Sequence, residues 1–205
     1  MRVRRLTLGA LDTNCWLADD GVGGPALVID PADEAGVVLG ALDGAPVHAI
    51  VLTHGHFDHI GAATELVAAT GAPLLVHADD AASITSAAGS GGALFGFDVR
   101  APEADGTFAD GEEITAGALM LTVIHTPGHT PGSVCLLGGD HLFSGDTLFA
   151  GSIGRTDFAG GDMDAMRRSI ARLASLADDV RVHPGHGPET TIGRERRINP
   201  FFPRA

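Results

Sequence analysis

Cysteine is scarce in this chain, and basic residues are half as many as acidic ones, 13 against 26. The two cysteines, Cys15 and Cys135, stand far apart in apolar, strand-like runs. That spacing favours buried free thiols over a disulfide and suits a reducing, cytoplasmic compartment. The formal net charge is −13, and no basic patch precedes Arg194-Glu195-Arg196-Arg197. An acidic surface repels phosphate backbones, which argues against nucleic acid as a partner, and the late arginine cluster reads as a solvated helical or loop face. No apolar run approaches the length that spans a bilayer, so no membrane partner is expected. Met1-Arg2-Val3-Arg4-Arg5 leads into no apolar h-region, because Asp12, Asn14 and Asp19 interrupt the next stretch, and a signal peptide is not expected either. No composition break marks a linker. A single domain over residues 1–205, with 44% hydrophobic residues to build its core, is the expectation.

The hydrophobic pattern predicts short strands over Val3–Leu8, Asn14–Asp19 and Ala26–Asp30, then a helix opened by Pro31-Ala32-Asp33-Glu34 and stopped by Asp43-Gly44. Val47–Leu52 is apolar almost throughout, the mark of a strand buried on both faces. Helix is predicted over Ile60–Thr70, strand over Leu74–His77, and an alanine-rich helix over Ala78–Ala88. The glycine-rich stretch from Ser90 to Gly106 reads as loop. Strands come next around Phe108 and over Glu113–Ala116, Leu119–His125, Ser133–Leu137 and His141–Ser144. A helix over Asp162–Leu176 places Met163, Met166, Ile170 and Leu173 on one face, and Arg181–His183 is a last short strand. Two halves of similar make-up, without residue-level repetition, point to two packed sheets with helices outside, a mixed α/β (α+β) fold.

Against that scaffold, Thr53-His54-Gly55-His56-Phe57-Asp58-His59 stands out at the end of the buried strand. His129 in Thr126-Pro127-Gly128-His129-Thr130, Asp146 in Ser144-Gly145-Asp146-Thr147 and His186 in Pro184-Gly185-His186-Gly187 are further candidates, each beside glycine. In an extended segment, side chains at i, i+2 and i+4 share a side, so His54, His56 and Asp58 are expected to point together and His59 away. One stretch then serves two metal positions. Imidazole nitrogens and carboxylate oxygens without a nearby thiolate suit an open, catalytic site for zinc, iron or manganese. The flanking glycines Gly55, Gly128, Gly145 and Gly185 let backbone pack closely around ions. One such histidine alone reads as an ordinary surface or core residue; the set does not. His48, His77, His125, His141 and His183 lie outside glycine turns and are expected to be structural.

The ordered pattern His54-x-His56-x-Asp58-His59, His129, Asp146, His186 resembles the metallo-β-lactamase superfamily across nearly the whole chain. The resemblance implies a four-layer αβ/βα sandwich with metals at one edge between the sheets. It also implies two divalent metal ions, zinc in first place with iron or manganese as alternatives. His54, His56 and His129 would hold the first ion and Asp58, His59 and His186 the second, with Asp146 and a water or hydroxide bridging them. Asp58 is the implied catalytic residue, orienting the attacking hydroxide. Ser144-Gly145-Asp146-Thr147-Leu148-Phe149, Gly154-Arg155-Thr156-Asp157-Phe158, the stretch from Pro184 to Gly193, and Asn199-Pro200-Phe201 resemble the glyoxalase II group in its compact bacterial branch. That implies hydrolysis of a small-molecule thioester of the hydroxyacylglutathione type. Larger members carry a C-terminal helical extension that supplies basic residues to glutathione; this chain ends soon after its last motif, and the thiol carrier stays open.

Arg155 is the candidate anchor for a substrate carboxylate, with a local ion pair to Asp157 as the equally weighted alternative. Trp16 and Phe149 are candidates for the wall of a cleft, though core packing is the commoner role of such residues. Persulfide dioxygenases, which use one iron, share the fold and most of these ligands and form the first rival. A lactonase is a second, and a β-lactamase or a nuclease is disfavoured by the absent signal and by charge. A redox partner is disfavoured because no flavodoxin-like domain is joined to the chain.

Overall fold

Strands apolar along their whole length need cover on both faces, and the computed structural model, which describes residues 1–203, supplies it. Arg204 and Ala205, the end of the domain expected over 1–205, lie outside the described residues. The first half builds a six-stranded sheet in the order β1 (Arg2–Leu8), β2 (Thr13–Asp19), β3 (Ala26–Ile29), β4 (Val47–Val51), β5 (Leu74–His77) and β6 (Gly106–Phe108). Its first three strands pair antiparallel and its last four parallel. The second half begins with β7 (Glu113–Ala116), β8 (Leu119–His125), β9 (Val134–Gly138) and β10 (His141–Gly145). A separate small hairpin comes next, β11 (Leu148–Phe149) with β12 (Ser152–Ile153). Then β13 (Arg181–Pro184) and β14 (Thr190–Thr191) complete a second six-stranded sheet, ordered β14-β13-β10-β9-β8-β7.

Alternation along each strand sends side chains into two different cores. Trp16, Leu27, Ile29, Ala49 and Val51 of the first sheet meet Leu121, Val123, Val134, Leu136 and Phe143 of the second between the sheets. Their neighbours Cys15, Leu17, Val28, Ile50 and Leu52 point the other way, beneath α1 (Ala35–Leu42) and α3 (Ala63–Thr70). On the far side, Cys135, Leu142 and Val182 pack under Met166, Ile170 and Leu173 of α4 (Met163–Leu173) and Ile192 of α5 (Ile192–Ile198). The layers are helix, sheet, sheet, helix, the expected αβ/βα sandwich. Asp162 caps α4 by accepting from the amides of Asp164 and Ala165 at 2.8 and 2.9 Å. Both cysteines are buried and free. Among the described residues, no helix is long and apolar enough to cross a membrane.

Departures from the sequence pattern are local and each has a cause. Pro31–Glu34 is not helical: Glu34 has φ 52° and the helix starts at Ala35. The Pro31 carbonyl accepts from the Ala62 amide at 2.9 Å, so the segment is docked rather than coiled. The same docking breaks the helix predicted over Ile60–Thr70 into α2 (Phe57–Ile60) and α3. The alanine-rich stretch Ala78–Ala88 forms only two single 3₁₀ turns, Ala78–Asp80 and Ser83–Thr85. There the hydroxyls of Ser83 and Thr85 donate to the carbonyls of Asp80 and Ala82 at 2.7 and 2.9 Å, while the Asp80 carboxylate turns inward. The arginine cluster is a solvated face except for Glu195, which is fully buried and accepts from the Thr190 hydroxyl, the Gly151 amide and the Asn199 side chain.

Candidate metal centre

Four segments leave the carboxyl ends of β4, β8, β10 and β13 at one edge of the sandwich, where the two sheets face each other. The first carries His54 in a bend and His56 in extended backbone, and α2 begins at Phe57. The alternation expected from His54 to Asp58 therefore stops at His56. Asp58 and His59 sit in one helical turn and both point into the site, so His59 does not turn away as the spacing predicts. His129 comes from the loop after β8, Asp146 from the end of β10, and His186 from the loop after β13. The edges are stitched across the halves: the Val134 amide donates to the Thr53 carbonyl at 2.9 Å and the Asn14 amide to the Gly185 carbonyl at 2.7 Å.

All seven expected residues converge. His54, His56 and His129 bring one ligand atom each within 4.8 Å of one another, and Asp58, His59 and His186 do the same. Asp146 lies between the two trios: Oδ1 is 3.4 Å from His59 Nε2, and Oδ2 is 3.6 Å from both His129 Nε2 and His186 Nε2. His56 Nδ1 and His129 Nε2 face each other at 2.8 Å, and Asp58 Oδ2 is 3.1 Å from His186 Nε2. His54 Nε2, His59 Nε2 and Asp146 Oδ1 are buried with no hydrogen-bond partner. Orphaned donors and acceptors are costly inside a protein, and three pointing into one space fit a cation that satisfies them together. Gly185 is required here, since a Cβ at that position would meet the Asp146 carboxylate and sit 2.6 Å from the His59 ring. Gly145, at φ 45°, is the second such position, because a side chain there would collide with Thr53.

A second layer aims the ligands. His54 Nδ1 donates to the Thr53 hydroxyl at 3.1 Å, and that hydroxyl donates to Asp30 Oδ2 at 2.7 Å. His59 Nδ1 donates to the same Asp30 oxygen at 3.0 Å. His129 Nδ1 donates to the Arg155 carbonyl at 2.7 Å and His186 Nδ1 to the Leu11 carbonyl at 3.2 Å. With Nδ1 so occupied, these four rings turn their Nε2 atoms toward the centre. Asp80 fixes the loops themselves, accepting from the Gly55 amide at 2.9 Å, the Gly132 amide at 2.8 Å and the Thr130 hydroxyl at 2.7 Å. Thr13 donates to Asp58 Oδ2 at 3.1 Å. Sequence reasoning missed Asp30, Asp80 and Thr13. A carboxylate closing the wholly apolar β3 was a usable signal for Asp30; Asp80 had none, being submerged in an alanine-rich run.

Electrostatics separates the histidines. Burial, reinforced by His59, His129 and His56, holds His54 well below its ordinary value. Burial and then His129 bring His56 down to about 4. Both rings are therefore neutral, with lone pairs to give. Burial opposes charge on His59 as well, but Asp146, Asp58 and Asp30 outweigh it and raise that ring well above the usual range. Burial also opposes charge on Asp58 and Asp146, yet His59 and its neighbours drive both carboxyls below their ordinary value. The site thus sets two ionised carboxylates, Asp58 and Asp146, against the raised rings of His59 and His186, beside the lowered rings of His54 and His56.

Above the site opens a cleft of about 540 Å³, lined on its floor by His56, Asp58, His129, Asp146 and His186. Phe149 is in its wall, whereas Trp16 is in the inter-sheet core and donates from Nε1 to the Pro184 carbonyl at 3.1 Å. Arg155 reaches the rim, but its Nε and Nη2 both donate to Asp157 at 2.7 Å, and its guanidinium lies 3.6 Å over the Phe158 ring. Of the remaining histidines, His141 and His183 form a buried stack, 2.7 Å between Nδ1 and Nε2, with His183 bonded to Glu189. His77 stacks on His125 with centroids 4.2 Å apart.

A family model described as Metallo-beta-lactamase superfamily matches residues 8–186. Among solved structures, BLEG-1 B3 metallo-beta-lactamase is similar with a TM-score of 0.92 at 35% identity, over 98% of this chain and 99% of that one. TTHA1623, solved in a di-iron-bound form, gives a TM-score of 0.88 at 39% identity, over 97% and 100% of the two chains. The hydroxyacylglutathione hydrolase GloC of Haemophilus influenzae is 33% identical over 213 residues, 98% of either chain.

Proposed function

The chain belongs to the metallo-beta-lactamase superfamily, and from that premise we propose that it is a metal-dependent hydrolase of acyl thioesters. The observation that carries the reading is the meeting of His54 Nε2, His59 Nε2 and Asp146 Oδ1, buried and without partners. His54, His56 and His129 would hold one divalent ion, Asp58, His59 and His186 a second, and Asp146 would give an oxygen to each. Donors of nitrogen and oxygen suit zinc, and equally iron, the metal of the similar TTHA1623 structure. Bound there, divalent ions supply Lewis acidity, which acidifies water and polarises a carbonyl.

The chain's own residues set the rest. Asp58 is held by Thr13 and His186 through Oδ2, which leaves Oδ1 to orient the attacking water and take its proton. The water oxygen bonds to the thioester carbonyl carbon, the carbon–sulfur bond breaks, and the departing thiolate accepts the proton from Asp58. The Nδ1 contacts of His54, His59, His129 and His186 fix ring orientation, so the reacting groups need little rearrangement. The thioester part of the reading is supported by the similarity to GloC over nearly the whole chain.

The test is loss of the thioester band of S-D-lactoylglutathione and of simple acyl thioesters, with metal-loaded protein and a chelated control. Chelator-sensitive cleavage is expected. Loaded protein that cleaves none of them overturns the reading. A second reading, opening of a β-lactam ring, is favoured by the likeness to BLEG-1 B3 metallo-beta-lactamase. A chromogenic cephalosporin in the same assay decides between them. One-iron oxygenase chemistry uses most of the same ligands, and metal identity together with oxygen uptake separates it from hydrolysis.

A further inference from the structure

The cleft is walled by side chains that the proposed chemistry does not use. Leu11, Leu94, Phe95, Phe149, Ile153 and Phe158 line it above the metal ligands. Leu94 is 73% exposed, Phe95 52% and Leu11 49%. Single exposed apolar residues are ordinary on a protein surface, but several around one cleft form a patch of the kind that marks a ligand groove. The wall is also held in place. Phe57 of α2 stacks on Phe97 with centroids 5.2 Å apart and lies 5.7 Å from Phe95. Phe95 in turn meets Phe158 edge-on at 5.9 Å. The turn Gly92–Phe95 is thereby clamped between the two halves of the molecule, and the apolar surface stands ready before a ligand arrives.

Charge narrows the ligand further. Among the described residues that line the cleft, Arg155 is the one arginine and there is no lysine. Its guanidinium is already committed to Asp157 and to the face of Phe158. A ligand arm carrying carboxylates would find no free side-chain cation there, in a chain of net charge −13. An uncharged apolar arm would cover Leu94, Phe95 and Phe158 and remove them from water.

We propose that the substrate is an acyl thioester whose thiol arm is uncharged and apolar, lodged against Leu94, Phe95 and Phe158. The inference rests on the thioester reading above for its chemistry, but on the cleft wall for its selectivity. Its test has a kinetic and a binding limb. Acetyl thioesters of benzyl mercaptan, mercaptoacetate and glutathione are compared with metal-loaded protein. The benzyl ester is expected to lead in kcat/KM by about tenfold or more, the return for burying a ring. Phe95→Ala and Leu94→Ser should each lower the benzyl-to-mercaptoacetate ratio by about fivefold. In the binding limb, calorimetry on metal-free protein should record benzyl ethyl sulfide but not S-ethylglutathione, with Phe95→Ala weakening the former. Equal or better turnover of the anionic esters, or a ratio insensitive to both substitutions, overturns the proposal while leaving thioester hydrolysis standing. Cleavage of no thioester, together with Phe95-dependent binding of the sulfide, instead overturns the reaction and leaves the apolar subsite standing.

Discussion

Asp58 and Asp146 do different work because of what each oxygen touches. Asp146 shares its two oxygens between the trios, whereas the contacts of Asp58 all fall on Oδ2. Asp58→Asn keeps the shape but removes the charge and the proton acceptor. We expect kcat to fall by about 10²–10⁴-fold, as for loss of a general base, with the urea midpoint little changed. An unchanged kcat would take Asp58 out of the mechanism. Of the two roles open to Arg155, carboxylate anchor and ion pair with Asp157, the geometry has it in the ion pair. Arg155→Ala is accordingly expected to change KM for neutral and anionic thioesters by the same factor. A rise confined to the anionic ester would restore the anchor. At the cysteines, burial pushes the Cys135 thiol up to about 11 and raises that of Cys15 as well, so both stay protonated and covered. Native protein at neutral pH should therefore resist iodoacetamide, by intact mass, until denaturant is added; rapid double labelling would contradict the burial.

Asp80 shows how elements are brought to the site. It sits in a short turn after β5, yet its carboxylate binds the segment after β4 and the loop after β8, one from each half of the molecule. Asp80→Ala strands two buried amides and a hydroxyl. A loss of about 2–5 kcal/mol is expected from urea unfolding, since each unsatisfied buried group costs about 1–3 kcal/mol. Metal affinity should weaken with it, because His54 and His56 are registered against His129 through these bonds. Stability and affinity both unchanged would show that Asp80 is a bystander. None of this was readable from the chain. Sequence pattern reports burial and periodicity, so the buried strands β4 and β5 and the amphipathic α4 were legible, as was the glycine-flanked ligand set. Asp80 contributes through three contacts distant in sequence, which leave no periodic trace. The helical turn at Asp58 and His59 was hidden for the same reason: Phe57, whose amide donates to the Ser90 carbonyl at 3.0 Å, is anchored by a loop that the sequence marked only as irregular.

At the scale of the molecule, the two halves meet through the core between the sheets and again through the ligand cluster. Asp146 and His129 belong to the second sheet's loops, His54 to His59 to the first's, so an ion held by residues of both halves ties them together. A ligand that binds only the folded state stabilises it by about 2.7 kcal/mol at one hundred times its Kd. For a chain of this length each kcal/mol raises Tm by about 2–4 °C, so saturating zinc or iron should lift Tm by about 5–10 °C for each ion bound. Chelation should return it. His186→Ala separates the two positions, because the His186 side chain is 29% exposed and stands outside the trio of His54, His56 and His129. That variant should bind one ion per chain by elemental analysis and keep only part of the thermal gain, whereas wild type should bind two. One ion in wild type, with His186→Ala indistinguishable from it, would defeat the two-metal arrangement and move the one-iron oxygenase ahead of the hydrolase. A Tm indifferent to metal would defeat the metal centre itself, since donors left unpartnered in the folded protein must gain from an ion that satisfies them.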